Sequence, residues 1–189
     1  MLPDITPLRV KILNRDWRFE EYLENSDIPG RNHIVRDLEP IYDHEGDSGM
    51  RLYVLEDTLV HPFVPTRIPH GIAVQPLPGY NTRITSRSST YPKKNLLVIT
   101  GTVDQPYTGE LSSMVMYVPQ PRRVIVKTFS ARGESPEETL AFSPEPLLLK
   151  KGDRVSQLVL ETVARASVQR VDDLVNTSRG SSGWGSTGR

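Results

Sequence analysis

The stretch Met50–Thr100, MRLYVLEDTLVHPFVPTRIPHGIAVQPLPGYNTRITSRSSTYPKKNLLVIT, decides the fold. Met50, Leu52 and Val54 recur at every second position, the period of a half-buried strand. Val60–Val64, Gly71–Val74, Arg83–Ser86 and Leu96–Thr100 follow as short strand signals. Prolines separate them, and Pro76-Leu-Pro-Gly79 has the composition of a turn. Outward from this stretch the pattern continues. Leu8, Val10 and Ile12 alternate on the N-terminal side. Leu111–Val118, Val124–Phe129, Val155–Val163 and a last strand at Ser167–Val171 lie on the C-terminal side. So many short strands, punctuated by 16 prolines and 13 glycines, predict an all-β sandwich or closed barrel.

Two places depart from the strand pattern. After Asn14 as a cap, the spacing of Trp17, Phe19, Tyr22 and Leu23 suits a short amphipathic helix. Ser135-Pro136-Glu137-Glu138 combines a capping residue, a proline at the first helical position and Glu three residues after the cap. It predicts a helix over Pro136–Phe142. Residues 25–48, rich in Asp, Gly, Pro and His, read as a loop. The last eleven residues, RGSSGWGSTGR from Arg179 to Arg189, are too rich in Gly and Ser to pack by themselves. A Trp between glycines and an arginine at each end mark a segment expected to order when something binds.

Composition narrows the function. The 189 residues suffice for one domain, and 23 Lys+Arg balance 23 Asp+Glu. A zero formal net charge argues against nucleic acid held by bulk charge, though not against a local basic pocket. With no cysteine there is no disulfide, thiolate metal site or thiol nucleophile. Apolar runs such as Leu96–Ile99 and Leu147–Leu149 are too short for a bilayer. The opening Met-Leu-Pro-Asp-Ile-Thr-Pro lacks a basic segment followed by an apolar one, so a soluble cytoplasmic protein is expected. There is no Gly-Lys-Ser/Thr phosphate loop. His33, His44, His61 and His70 lack metal-ligand spacing.

Four segments are informative together. Thr85-Ser-Arg-Ser-Ser89 ends a strand with one guanidinium and four hydroxyls. Gly101-Thr-Val-Asp-Gln-Pro-Tyr-Thr-Gly-Glu110 reads as a hairpin with Asp and Tyr three apart. Gly152-Asp-Arg-Val-Ser-Gln-Leu-Val159 is a turn into a strand, and the tail is the fourth. Their order and wording resemble the trimeric dUTPase family. Its second motif resembles Ser86–Ser89, its third Gly101–Glu110, its fourth Gly152–Val159 and its fifth Arg179–Gly188. The first motif is matched least well, at Ser48-Gly49-Met50-Arg51-Leu52.

The resemblance implies a jelly-roll-like dUTPase β-barrel and a homotrimer with three sites shared between subunits. It implies hydrolysis of dUTP to dUMP and pyrophosphate with Mg²⁺, and a cytoplasmic setting, the host cytoplasm for a phage or viral protein. Residues 1–178 would form the barrel domain, with inserts at about 15–47 and 119–147. Residues 179–189 would be a tail that closes over the site.

Asp104 matches the water-activating carboxylate, a role in which a base must be positioned beside its water. Tyr107 matches the ring that lies against the deoxyribose and excludes a 2′-hydroxyl by shape. Backbone groups of the Gly101 and Val103 strand would read the uracil edge, where a cytosine amino group would meet an unmatched donor. Arg87, Ser88 and Ser89 match the phosphate-side motif, and Gln157 the residue that approaches the phosphates or their metal waters. Arg179 would clamp the γ-phosphate. Trp184, standing where the family usually has Phe, would stack on uracil; Gly185, Ser186 and Thr187 would complete the phosphate contacts. Mg²⁺ would be held mainly by phosphates and water, so no protein metal ligand is expected.

The chain departs from the family pattern at Arg51, where the first motif normally has Asp; rebuilding with Asp47 or Asp57 is one expected compensation. Thr108 also replaces a residue that is often basic. The second insert resembles those of some bacteriophage members and suggests an arm for a host regulatory protein. Two other readings stay open. One is a binding protein that keeps the fold; the other is a dCTP deaminase relative, disfavoured by Asp104 and the tail.

Overall fold

The computed structural model describes residues 7–22, 33–130, 133–141, 145–178 and 180. Its strands, in chain order, are β1 (Leu8–Ile12), β2 (Phe19–Tyr22), β3 (His33–Arg36), β4 (Gly49–Leu52) and β5 (Thr58–Val60). There follow β6 (Thr66–Pro69), β7 (Ile72–Pro76), β8 (Tyr80–Ser86), the single-turn helix α1 (Thr90–Lys94), β9 (Leu96–Ile99) and β10 (Gly101–Val103). The last are β11 (Ser112–Tyr117), β12 (Arg122–Ser130), β13 (Gly133–Ala141), β14 (Leu147–Leu149) and β15 (Ser156–Thr162). Among the described residues no helix is long and apolar enough to cross a membrane.

Every strand ladder is antiparallel. The four-stranded sheet β10-β8-β15-β4 and the three-stranded sheet β6-β11-β9 form the body. The pairs β1-β7 and β14-β5 stand beside them. Alternation along the strands builds two apolar cores. Trp17, Met50, Leu52, Ile72, Val74, Ile84 and Leu158 fill one, and Val54, Val60, Ile68, Leu96, Val115 and Leu149 the other. Burial of such side chains contributes roughly 1.5–3 kcal/mol each. Between the cores lies a polar chain. His70 is 1% exposed; its Nδ1 faces the Tyr53 carbonyl at 2.9 Å and its Nε2 faces Ser113 Oγ at 2.7 Å. Ser113 Oγ in turn lies 2.7 Å from Ser156 Oγ.

Several expectations need correction. Phe19–Tyr22 is a strand, not part of a helix, and it pairs with His33–Arg36, which had read as loop. Trp17 anchors that entry from the core, its indole N–H donating to the Leu55 carbonyl at 2.7 Å. The helix expected over Pro136–Phe142 is instead strand β13, in register with β12 from Arg122↔Ala141 to Ser130↔Gly133. The capping signature yields to a partner rich in β-branched residues, and a two-stranded ribbon tolerates Pro136 because both of its strands are edges. This ribbon is most of the second insert and belongs to no barrel sheet. Ser167–Val171 forms no strand. Gly101–Glu110 is not a hairpin: β10 pairs with β8, whereas β11 pairs with β6 and β9, so the segment is a corner between two sheets. Finally, Met50–Val54 is buried on both faces, including Arg51 at 6% exposure, where simple alternation had turned that residue outward.

Candidate active site

The corner after β10 carries the residues expected at the sugar and base end. Val103 is opposite Thr82, after which the chain turns, with Tyr107 N–H donating to the Asp104 carbonyl at 3.0 Å. Asp104 is exposed and Tyr107 is 48% exposed. The Tyr107 hydroxyl donates to the Glu110 carbonyl at 3.1 Å, which folds the ring across Gly109. A Cβ at Gly109 would overlap that ring, so glycine there lets the ring lie across the corner. Around Gly101 there is open space. Glu110 fixes the corner from behind, accepting the Gly71 N–H at 3.0 Å and pairing with Arg67 at 3.6 Å.

Together these residues line a cleft of about 430 Å³ with Gly101, Thr102, Val103, Asp104 and Tyr107 on its wall. Because β10 is the edge strand of its sheet, its outer backbone groups carry no ladder bonds. They are the donors and acceptors a planar base edge would need.

A second cleft, of about 310 Å³, holds the expected phosphate-side residues Arg87 and Gln157 together with Asp43, His44, Asp47, Ser48 and Gly49. Ser88 is exposed beside it, and Ser89 is the half-buried residue that precedes α1. The Gln157 amide donates to the Ser86 carbonyl at 3.1 Å, and its side chain crosses Gly49 so closely that a Cβ there would collide with it. Thus the first, second and fourth motifs meet at one spot. Burial and the neighbouring Arg154 push Arg87 below its ordinary pKa, while Asp43 acts in the opposite sense.

The two clefts lie at opposite ends of β8. Asp104 follows the residue paired with Thr82, whereas Arg87 follows Ser86. Along a strand that separation is about 20 Å. One chain therefore does not bring Asp104 to Arg87. Arg179, Trp184, Gly185, Ser186 and Thr187 lie outside the described residues.

Sequence reasoning missed Asp43. It, not Asp47 or Asp57, answers Arg51, with Arg51 Nε 2.6 Å from Asp43 Oδ1. Asp57 is engaged by Lys150 at 2.8 Å, and Asp47 by His44 at 3.4 Å. No local signal marks Asp43, because the contact exists only after three strands converge.

A family model described as dUTPase matches residues 39–130 and 139–188. The chain belongs to the dUTPase family. The deoxyuridine 5'-triphosphate nucleotidohydrolase of Thermobifida fusca is 34% identical over 151 residues, 79% of this chain and 72% of that protein. The Clostridium kluyveri enzyme of the same name is 28% identical, with 79% and 89% covered. Among solved structures, a point mutant of the Staphylococcus bacteriophage 80alpha dUTPase with dUpNHpp superposes with a TM-score of 0.69 at 23% identity. The match covers 97% of this chain and 99% of that one. A dUTPase from phage phi11 of S. aureus, solved with the coordination of a structural Mg(II) ion, gives 0.60 at 21% identity, covering 90% and 99%. The all-β dUTPase fold is thereby established for this dUTPase-family chain.

Proposed function

We propose that the chain is a dUTP diphosphatase, hydrolysing dUTP to dUMP and pyrophosphate. The observation that carries this reading is the cleft at the sheet corner, where an exposed carboxylate, a tyrosine ring and an unpaired strand edge meet. Uracil pairs with the outer edge of β10, and Tyr107 packs against the sugar where a 2′-hydroxyl would clash. Asp104 holds a water in line with the α-phosphorus and takes its proton as the water oxygen bonds to phosphorus. The bond from the α-phosphorus to the bridging oxygen breaks, and pyrophosphate leaves. Arg87, Ser88, Ser89 and Gln157 receive the phosphates, and Arg179, Trp184, Gly185, Ser186 and Thr187 cover them.

Mg²⁺ fits this donor set as a partner of the substrate. Triphosphate oxygens are the hard ligands that Mg²⁺ prefers, and waters complete its shell. When bound, it neutralises charge on the phosphates.

A homotrimer completes the site, with the Asp104 cleft of one copy facing the Arg87 cleft of another. Two features support this. The half-sites are separated along β8 within one chain. In addition, residues 163–178 leave β15 with no strand partner, exposing Val168 at 95%, Leu174 at 85% and Val175 at 90%. Such apolar surface on an extended arm suits another copy. The arm then delivers 179–189 as the closing segment. The ribbon β12-β13, standing apart from the barrel sheets, suits a host regulatory protein, and the enzyme would work in the host cytoplasm.

Incubation with dUTP, dCTP and UTP tests the reading. Pyrophosphate from dUTP alone is expected. Formation of dUTP from dCTP, or no turnover of any of the three, would replace it.

A further inference from the structure

Three adjacent strands of the main sheet, β8, β15 and β4, each send a guanidinium to the same end of that sheet. Arg87 follows β8, Arg154 precedes β15 and Arg51 lies on β4; the register Ser156↔Ser86 and Ser156↔Leu52 sets them side by side. One carboxylate stands among them. Asp43 Oδ1 is 2.6 Å from Arg51 Nε, and Oδ2 is 3.3 Å from Arg154 and 3.8 Å from Arg87. The short Arg51 contact lies off the N–H axis, so it is an ion pair and not an aligned hydrogen bond. Arg51 also donates to the Tyr53 hydroxyl at 3.1 Å. Asp43 belongs to the segment between β3 and β4, where Arg51 N–H donates to the Ile41 carbonyl at 3.0 Å.

Three like charges this close repel, and each costs free energy to take out of water. Without Asp43 the arginines would separate toward solvent. Arg51, the most buried, is held by the strand itself. Arg87 and Arg154 are 23% and 30% exposed; Arg87 and Asp43 line the cleft in which Gln157 sits, and Arg154 reaches it through Asp43. Asp43 contacts Arg87 at the longest distance of the three, which leaves that guanidinium room to meet another anion.

We propose that Asp43 is a positioning residue, an internal counter-ion that fixes Arg87 and Arg154 as a preorganised receptor for a pyrophosphate group. The segment between β3 and β4 thus contributes to the phosphate end of the site. The proposal rests on the dUTP reading only for the identity of the anion.

The test separates position from charge. Pyrophosphate binding is measured by titration calorimetry on the full chain for wild type, Asp43→Asn, Arg51→Met and the double variant, with dUTP turnover and melting followed on the same samples. Asp43→Asn adds net positive charge to the cluster, so charge alone predicts tighter binding, whereas lost positioning predicts binding weaker by about tenfold. This variant leaves Arg51 buried without its partner and is the one at risk of not folding. In the double variant the buried pair is gone together, which proteins commonly tolerate. It carries more positive charge than Arg51→Met, yet is expected to bind pyrophosphate about tenfold more weakly than Arg51→Met. Equal or tighter binding by the double variant overturns the proposal, as does a wild type that does not bind pyrophosphate. A wild type that binds pyrophosphate but leaves dUTP intact refutes the functional reading while the positioning comparison stands. Turnover of dUTP with an unaffected double variant refutes the positioning alone.

Discussion

Acid should unfold this protein through His70. The imidazole is buried, and its Nδ1 faces a carbonyl, so that nitrogen carries the hydrogen and Nε2 accepts from the Ser113 hydroxyl. Protonation need not break these bonds, because the Ser113 and Ser156 hydroxyls can rotate. The cost is that of a charge without water. Burial lowers the His70 pKa from its ordinary 6.5 to about 4, against a smaller raising effect of the bond to Tyr53. The unfolded chain therefore binds a proton that the folded chain refuses between these values. This share of stability is complete above the unfolded value and is lost as pH falls toward the folded one, about 3 kcal/mol from pH 7 to pH 4. Urea unfolding at fixed protomer concentration, at pH 7.5 and 4.5, measures it. Carboxylates contribute a pH dependence of their own, so the comparison is with His70→Gln, which keeps polar atoms but does not titrate. The wild-type loss should exceed that of the variant by about 2.5 kcal/mol. Equal losses in the two proteins, or a His70 ring signal titrating near 6.5 by NMR, would refute the reasoning.

Three further outcomes are expected. Asp104→Asn keeps the size of the side chain but cannot take a proton, so turnover should fall by about 10²–10⁴-fold with nucleotide binding retained; mixing it with a chain cut before Arg179 should restore activity in verified mixed trimers. Deleting 179–189 alone should lower kcat/KM strongly and leave thermal unfolding unchanged, and full activity would remove Arg179 and Trp184 from the mechanism. Gly49→Ala forces the Gln157 side chain off its place over Ser86. Because a bond to a charged group is worth about 1.5–3 kcal/mol, the KM for dUTP should rise about tenfold or more while the melting temperature stays close to wild type.

What the sequence discloses here follows from the range of each interaction. A strand such as Leu8–Ile12 is legible because alternation is a local property, and Leu96–Ile99 because a short unbroken apolar run is one too. The single turn Thr90–Lys94 is not, since Pro92 and two lysines give no periodic pattern over so few residues. Ser135–Glu138 carries a genuine cap signature, yet pairing with Arg122–Ser130 decides its state, and pairing is non-local. The same division runs through the site. Asp104, Tyr107, Arg87 and Gln157 stand in motifs that can be matched by order and spacing. Asp43 acts on arginines from three strands, and Arg51 is buried because β4 is covered on both sides; neither fact has a signature within a few residues.

The chain contains two tryptophans, Trp17 and Trp184. Trp17 is 5% exposed, its indole N–H is fixed on the Leu55 carbonyl, and the Lys151 ammonium lies 5.4 Å from its ring centre. In emission, such an indole is a steady short-wavelength background, shielded from dissolved quenchers such as acrylamide. A change in emission or quenching as nucleotide is added can therefore be assigned to Trp184 in the unaltered protein. Replacing Trp17 with Phe to clear the spectrum would remove a core side chain and leave the Leu55 carbonyl without its donor. The buried tryptophan serves better as an internal reference, against which a change in light output tests whether Trp184 meets the nucleotide.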